Sequence, residues 1–346
     1  MPRGKWKQVA LFSLSWKVVV IVIVVISILT ISDLIYLRAA EVGSTTSTLS
    51  TFYGDSSSTE QQSGGHATYT SVARSSATYS ATTTVIHHVI VIVMENAEYD
   101  QVMSSSDAPY EVQLANKYAL ATQYYGVSHP SLPNYLALIG GSTFGISDDA
   151  GPQTPGLADS NLVDLLVARN VTWKAYMESM PAPCSLSDSW PYAVHHNPFV
   201  YFEDIQQTSR CSNNVVPLSS FLTDLNANQL PEYAFIVPNL NNDGHDTTVS
   251  YGDTWLSSFV PRIINSSEFA STALFIVYDE GTSDLNGGGH VYCVLVSPFA
   301  RMGFKSSTTY SHYSLLATTE AIYGLGNLAR NDATSPIMKD MFSVAI

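Results

Sequence analysis

Short apolar runs in this 346-residue chain end repeatedly in groups able to bind a cation or move a proton. One ends Val93-Met94-Glu95-Asn96. A second leads into Pro238-Asn239-Leu240-Asn241-Asn242-Asp243-Gly244-His245-Asp246, and a third closes Val277-Tyr278-Asp279-Glu280-Gly281. A fourth run is preceded by Gly287-Gly288-Gly289-His290. A carboxylate after a buried strand is by itself an ordinary cap or turn residue. Three such endings in a chain with only 13% charged residues carry more weight. Carboxylates gathered at one sheet edge repel one another unless a cation balances them. An oxygen-rich group of this kind suits a hard or borderline divalent ion.

The segment Ser128-His129-Pro130-Ser131-Leu132-Pro133-Asn134-Tyr135 adds a hydroxyl. Two prolines hold a short turn, and an apolar helical stretch begins near Asn134. That geometry exposes Ser131 and points backbone N–H groups at its surroundings, as a helix N-terminus does for an anion. A serine beside a cation can act as an alkoxide at modest pH, because the cation lowers its pKa. Asn134 is placed to donate to an oxyanion.

Elements must bring these segments together. Apolar, β-branched runs at 85–94, 233–237, 273–278 and 291–297 read as strands covered on both faces, and 171–177 as a more mixed one. Helical patterns lie between them, at 160–169, with Asp159 or Ser160 available as N-cap, and at 311–325. Strands alternating with helices imply an α/β fold with a mainly parallel sheet, whose sites form at the carboxyl ends of the strands.

Composition bounds the setting. The 29 acidic residues against 15 basic ones give a net charge of -14, which excludes a non-specific nucleic-acid binder. Arg3, Lys5, Lys7, Lys17 and Arg38 precede or flank the run VVVIVIVVISILTIS, with Asp33 the single acid among them. This is a membrane anchor or a signal segment over 1–40, and the length of the run favours the anchor with its N-terminus inside. Between 44 and 84, 22 residues are Ser or Thr, so 41–84 reads as a flexible stalk that cannot bury a core. The body is then 85–346, on the extracellular face of the membrane or secreted. Sequons at Asn170 and Asn265 are compatible with that side. Cys184 and Cys211 could pair in an oxidising compartment, whereas Cys293, in VYCVLVS, reads as a packed thiol.

Glu95-Asn96-Ala97-Glu98-Tyr99-Asp100 resembles the ENxx[FY]D signature of the phosphoesterase family of secreted acid phosphatases and non-specific phospholipases C. The stretches 129–135, 238–246 and 278–281 are similar to the HPSxPNY, PNMxNDGHD and strand-end motifs of its short acid-phosphatase branch, in family order. The resemblance implies an alkaline-phosphatase-like, three-layer α/β/α sandwich. It also implies one divalent metal ion held by Glu95, Asn96, Asp279 and Glu280, with Ser131 as nucleophile and fifth ligand. His129, Asn134, His245 and His290 would surround the phosphoryl group. Related two-metal enzymes carry Asp where this chain has Asn241, which weakens the case for a full second metal site.

The expected function is hydrolysis of small phosphate monoesters through a phosphoserine. His245 or His290 would act as acid and then base. The alternatives are a phospholipase C or phosphodiesterase, needing an apolar groove that Tyr124, Tyr125, Phe144 and Trp190 could build, and a non-catalytic surface binding protein of the same fold.

Overall fold

The sequence HVIVIVM leaves no polar face for a surface strand, and in the computed structural model His88–Met94 is buried at every position. The structure describes residues 86–104 and 106–346. The leader and stalk expected over 1–40 and 41–84 lie outside them. Among the described residues no helix is long and apolar enough to cross a membrane.

The strands in chain order are β1 His88–Met94, β2 Ala119–Ala121, β3 Tyr124–Tyr125, β4 Trp173–Met177, β5 Val215–Pro217, β6 Tyr233–Val237, β7 Thr272–Tyr278, β8 Cys293–Val296, β9 Lys305–Ser306 and β10 Tyr310–Ser311. Eight form one sheet in the order β5-β4-β6-β1-β7-β8-β2-β9, and β3 pairs with β10 separately. Only β8 runs against its neighbours β7 and β2. The helices Ser131–Gly140 and His312–Tyr323 pack together, as do Pro109–Lys117 and Val249–Ile264. The architecture is an α/β/α sandwich around a mainly parallel sheet. Its core is continuous: β1, β6 and β7 are buried throughout.

Local chemistry shifts several boundaries. The helix expected over 160–169 runs Leu162–Ala168, and its N-cap is Asn161, not Asp159 or Ser160. Asn161 Oδ1 accepts the Val163 N–H at 2.9 Å, while its own N–H donates to Asp164 Oδ2 at 3.2 Å. The helix expected near Asn134 starts at Ser131, with Pro133 in its first turn, where the missing N–H has no intrahelical partner to lose. Cys184 and Cys211 form a disulfide with their Cα atoms 5.2 Å apart. Cys293 is a buried thiol whose pKa burial pushes up.

Candidate active site

Register aligns the two strand ends. Met94 pairs with Tyr278, so Glu95 and Asp279 step off adjacent parallel strands at the same level. Both are buried, at 1% and 0% exposure. Asn96 takes a left-handed turn at φ 59°, a conformation Asn tolerates better than most residues. Its N–H donates to Asp279 Oδ1 at 3.4 Å, and its Nδ2 to Glu95 Oε2 at 3.4 Å. Glu98 fastens the next turn: Oε1 accepts the N–H groups of Thr282 and Ser283 at 2.9 and 2.8 Å. Gly281 leaves room for that carboxylate, since a Cβ there would lie 2.5 Å from Glu98 Oε1.

The Ser131–Gly140 helix delivers the hydroxyl. Ser131 Oγ donates toward Glu95 Oε2 at 3.2 Å and Glu280 Oε1 at 3.5 Å, which places it between the two strand ends. His129 Nδ1 lies 2.7 Å from Glu280 Oε2 and its Nε2 3.0 Å from the Ser283 carbonyl. Asn134 is fully buried and anchors the turn: its Oδ1 accepts the Val127 N–H at 2.8 Å and the Ser128 N–H at 3.2 Å. Its Nδ2 donates to the Ser128 carbonyl at 2.8 Å and reaches Glu280 Oε2 at 3.4 Å. Of the backbone donors at this helix start, the Leu132 N–H is taken by Asp149 Oδ1 at 2.9 Å. A cavity of about 290 Å³ lies beside Leu132, lined also by Ile146, Leu157 and Tyr201, but none of the clustered carboxylates lines it.

Three further groups join the cluster that motif reasoning did not single out. His196 Nε2 sits 3.4 Å from Glu95 Oε1, and its Nδ1 3.5 Å from Asp243 Oδ2. Tyr135 stacks on the His196 ring, 5.0 Å between centroids, and donates its hydroxyl to Glu95 Oε1 at 2.5 Å. Glu95, His196 and Asp243 form a buried group that could hold a metal ion. In the turn before His245 the buried carboxylate is that of Asp243, while Asn241, two residues earlier, is half-buried. Asp243 stood inside a quoted motif, and His196 stood in the His195-His196 pair of a loop with no periodicity to show which ring faces in. His312, the first residue of the helix His312–Tyr323, reaches the cluster from the side of Asp279. It is buried, with Nδ1 3.2 Å from the Tyr124 hydroxyl and Nε2 2.5 Å from the Asp279 carbonyl, and burial lowers its pKa to about 4.

His290 stacks on Tyr99 at 4.4 Å, lies 5.1 Å from the Tyr125 ring, and meets the Thr122 carbonyl through Nε2 at 3.0 Å. Its main-chain N–H donates to Glu98 Oε2 at 3.1 Å. The four aromatics do not build one groove. Tyr124 is fully buried, Tyr125 packs on His290, Phe144 packs on Phe202, and only Trp190 is exposed. His245 stays on the rim. Its Nδ1 is 2.8 Å from Asp246 Oδ1, its N–H donates to Asp243 Oδ1 at 2.8 Å, and its ring centre is 5.7 Å from that of His196.

The electrostatics call for positive charge. Burial raises the Glu95 pKa well above the usual carboxylate value, and the Asp279 and Asp243 charges raise it further. Asp279 is raised by burial and then by Glu280; Glu280 is raised by burial, against the pull of His129. Asp243 is raised mainly by burial, while burial and the neighbouring His195 and His245 push His196 down. Asp279 Oδ2, Asp243 Oδ2 and His196 Nε2 are buried without a hydrogen-bond partner. Unsatisfied acceptors around repelling carboxylates are costly unless something cationic fills the space between them. The donor set, carboxylate and amide oxygens with one imidazole, fits a divalent metal ion.

Fold and site together define a class. A protein of the alkaline phosphatase superfamily from Vibrio parahaemolyticus matches 75% of this chain and 72% of its own, with a TM-score of 0.51 at 11% identity. Murine ectonucleotide pyrophosphatase/phosphodiesterase 5 matches 74% of this chain and 100% of its own, with a TM-score of 0.52 at 10% identity. The fold is therefore that of the alkaline phosphatases. The model of the Phosphoesterase family matches residues 101–326. An acid phosphatase of Aspergillus fumigatus is 31% identical over 257 residues, covering 71% of this chain and 57% of that protein. A phosphatidylinositol-3-phosphatase of Mycobacterium tuberculosis is 33% identical over 234 residues, covering 67% of this chain and 75% of its own. The chain belongs to the phosphoesterase family. It spans somewhat over half the length of the fungal relative.

Proposed function

We propose that this chain hydrolyses phosphate monoesters as an acid phosphatase outside the cell, through a phosphoserine at Ser131. The observation that carries the reading is the place of Ser131 Oγ, 3.2 Å from Glu95 and 3.5 Å from Glu280 within a buried, mutually repelling carboxylate cluster. Both named relatives are phosphatases, the fungal one an acid phosphatase. The disulfide Cys184–Cys211 suits an oxidising compartment, and Asn170 and Asn265 are exposed for glycosylation there.

A divalent cation held by Glu95, Asn96, Asp279 and Glu280 would supply charge neutralisation and a lowered serine pKa. The residues of the chain do the rest. Ser131 gives up its hydroxyl proton along its hydrogen bonds to Glu95 and Glu280. Its oxygen attacks phosphorus in line. The bond from phosphorus to the ester oxygen breaks, and that oxygen takes a proton from His245, held by Asp246 at 2.8 Å. Neutral His245 then removes a proton from water, which attacks the phosphoserine, releases inorganic phosphate and restores the Ser131 hydroxyl. His129 and Asn134 position Glu280 and the turn.

The phospholipase and phosphodiesterase reading loses the groove expected from Tyr124, Tyr125, Phe144 and Trp190, and keeps only the cavity beside Leu132 as a place for an apolar group. A non-catalytic relative would have no use for the buried charge collected here, at a cost in stability. Ser131→Ala tests the proposal: turnover of p-nitrophenyl phosphate should fall by at least a thousandfold, with thermal midpoint and metal content near wild type. Chelator should abolish wild-type turnover, and a divalent ion should restore it. Undiminished hydrolysis by Ser131→Ala would remove the nucleophile and with it the reading.

A further inference from the structure

Trp190 is 70% exposed, more than any other large hydrophobic residue among those described. An indole left open to water forgoes the favourable burial of a large apolar surface, and this one is not mobile decoration. Its Nε1 donates to Asp246 Oδ2 at 3.0 Å, and the other oxygen of the same carboxylate holds His245 at 2.8 Å. The backbone is fastened on both sides. Ser189 and Tyr192 exchange N–H···O bonds of 3.0 and 2.9 Å around Trp190-Pro191, and the Leu240 N–H donates to the Pro191 carbonyl at 3.0 Å. Asp246 returns its own N–H to the Leu240 carbonyl at 2.8 Å, so the loop of the indole and the loop of its carboxylate partner are bonded to each other. Inward from Asp246, the His245 ring is 5.7 Å from His196, itself 3.4 Å from Glu95. The indole therefore stands on the same wall as the proposed acid, one residue layer further out from the carboxylate cluster.

A rigid aromatic face with its polar edge already satisfied is built to receive a flat apolar partner, at a distance set by the carboxylate that fixes it. Its neighbours are Asp246 and His245, both polar, which suits a ring with polar edges better than an acyl chain. We propose that Trp190 is a specificity-determining residue that stacks on a planar ring in the ester group of the substrate, so that aryl phosphates and nucleotide-like monoesters are selected over acyclic ones. The proposal rests on the reading of Ser131 as a phosphate-ester nucleophile, because it is the group expelled from phosphorus that would lie outward along this wall.

The full chain and its Trp190→Ala and Trp190→Phe variants should be compared on phenyl phosphate and glycerol 2-phosphate. In Trp190→Ala the preference for phenyl phosphate, as the ratio of kcat/KM values, should fall about tenfold, through KM for the ring substrate and not through kcat. Trp190→Phe should recover most of that preference, since it keeps a ring face while losing the N–H to Asp246. An unchanged ratio in Trp190→Ala, or a ratio lost equally in both variants, would overturn the proposal; the second result would mean that the indole acts only through Asp246 and His245. Calorimetric binding of phenylphosphonate and methylphosphonate separates this from failure of the hydrolytic reading. If no ester is turned over yet phenylphosphonate binds more tightly and Trp190→Ala abolishes the difference, the ring site stands and hydrolysis falls. If neither phosphonate binds, both fall.

Discussion

Glu320 lies on the His312–Tyr323 helix, 3% exposed, against the equally buried Asp332. Asp332 is committed as an acceptor: its carboxylate takes the Leu328 N–H at 2.6 Å and the Arg330 N–H at 2.9 Å. Burial first, and then the Asp332 charge, raise the Glu320 pKa from 4.5 to about 8. The folded protein thus holds this proton more tightly than the unfolded chain. Its contribution to stability is complete below about pH 4.5, declines as pH rises through the range to about 8, and is gone above it. At ~1.4 kcal/mol per pKa unit the ceiling is ~5 kcal/mol, and relaxation of the structure around the ionised pair reduces the working figure to ~2 kcal/mol. Glu320→Gln replaces the carboxylic O–H donor to Asp332 with an amide N–H and removes the titration. It should match wild type at pH 4.5 and exceed it by ~2 kcal/mol at pH 8.5, or about 4–8 °C in thermal midpoint for a domain of this size. Thermal denaturation across that range reads the difference. A variant that is destabilised equally at every pH, or one that leaves the wild-type pH slope intact, would refute the linkage. The consequence reaches the site, because Asn331 donates its N–H at 3.1 Å and its Nδ2 at 2.9 Å to the Gly141 carbonyl, at the end of the helix that carries Ser131. A fold loosened at alkaline pH at this point agrees with the proposed acid phosphatase activity.

Tyr135→Phe removes the hydroxyl from Glu95 Oε1 while keeping the ring stacked on His196, and should weaken metal retention about 10- to 100-fold by competition with a chelator. Full retention would assign Tyr135 to packing alone. Replacing Cys184 by Ser opens a link between residues 27 apart and should cost about 3.5 kcal/mol on the chain-entropy account, read by urea denaturation. A loss under 1 kcal/mol would mean that the loop is held by its hydrogen bonds. His312→Leu deprives the Asp279 carbonyl of its partner, and should lower turnover about tenfold together with metal content; unchanged metal content would separate His312 from the site.

Much of this protein was open to inference from residue order. β-branched runs with no polar face can be covered only on both sides, so β6 and β7 were recognisable within a residue of their limits, and β1 at its carboxyl end. The groups that follow them had to lie at one sheet edge, because parallel strands point the same way. Ser131 between two prolines was equally readable, as was the pairing open to Cys184 and Cys211. What tertiary structure alone decided is which rings turn inward. His196 ends a three-residue 3-10 turn and His290 precedes β8, segments too short for a period to assign either ring a face. One is buried beside Glu95 and Asp243, and the other is stacked on Tyr99. Likewise Asp243 and Asn241 stand two positions apart in a turn, and only the turn's closure chooses the carboxylate that enters. Regular elements advertise their faces through hydrogen-bond periodicity; loops acquire theirs from contacts distant in sequence, and this site draws more of its members from loops than from helices.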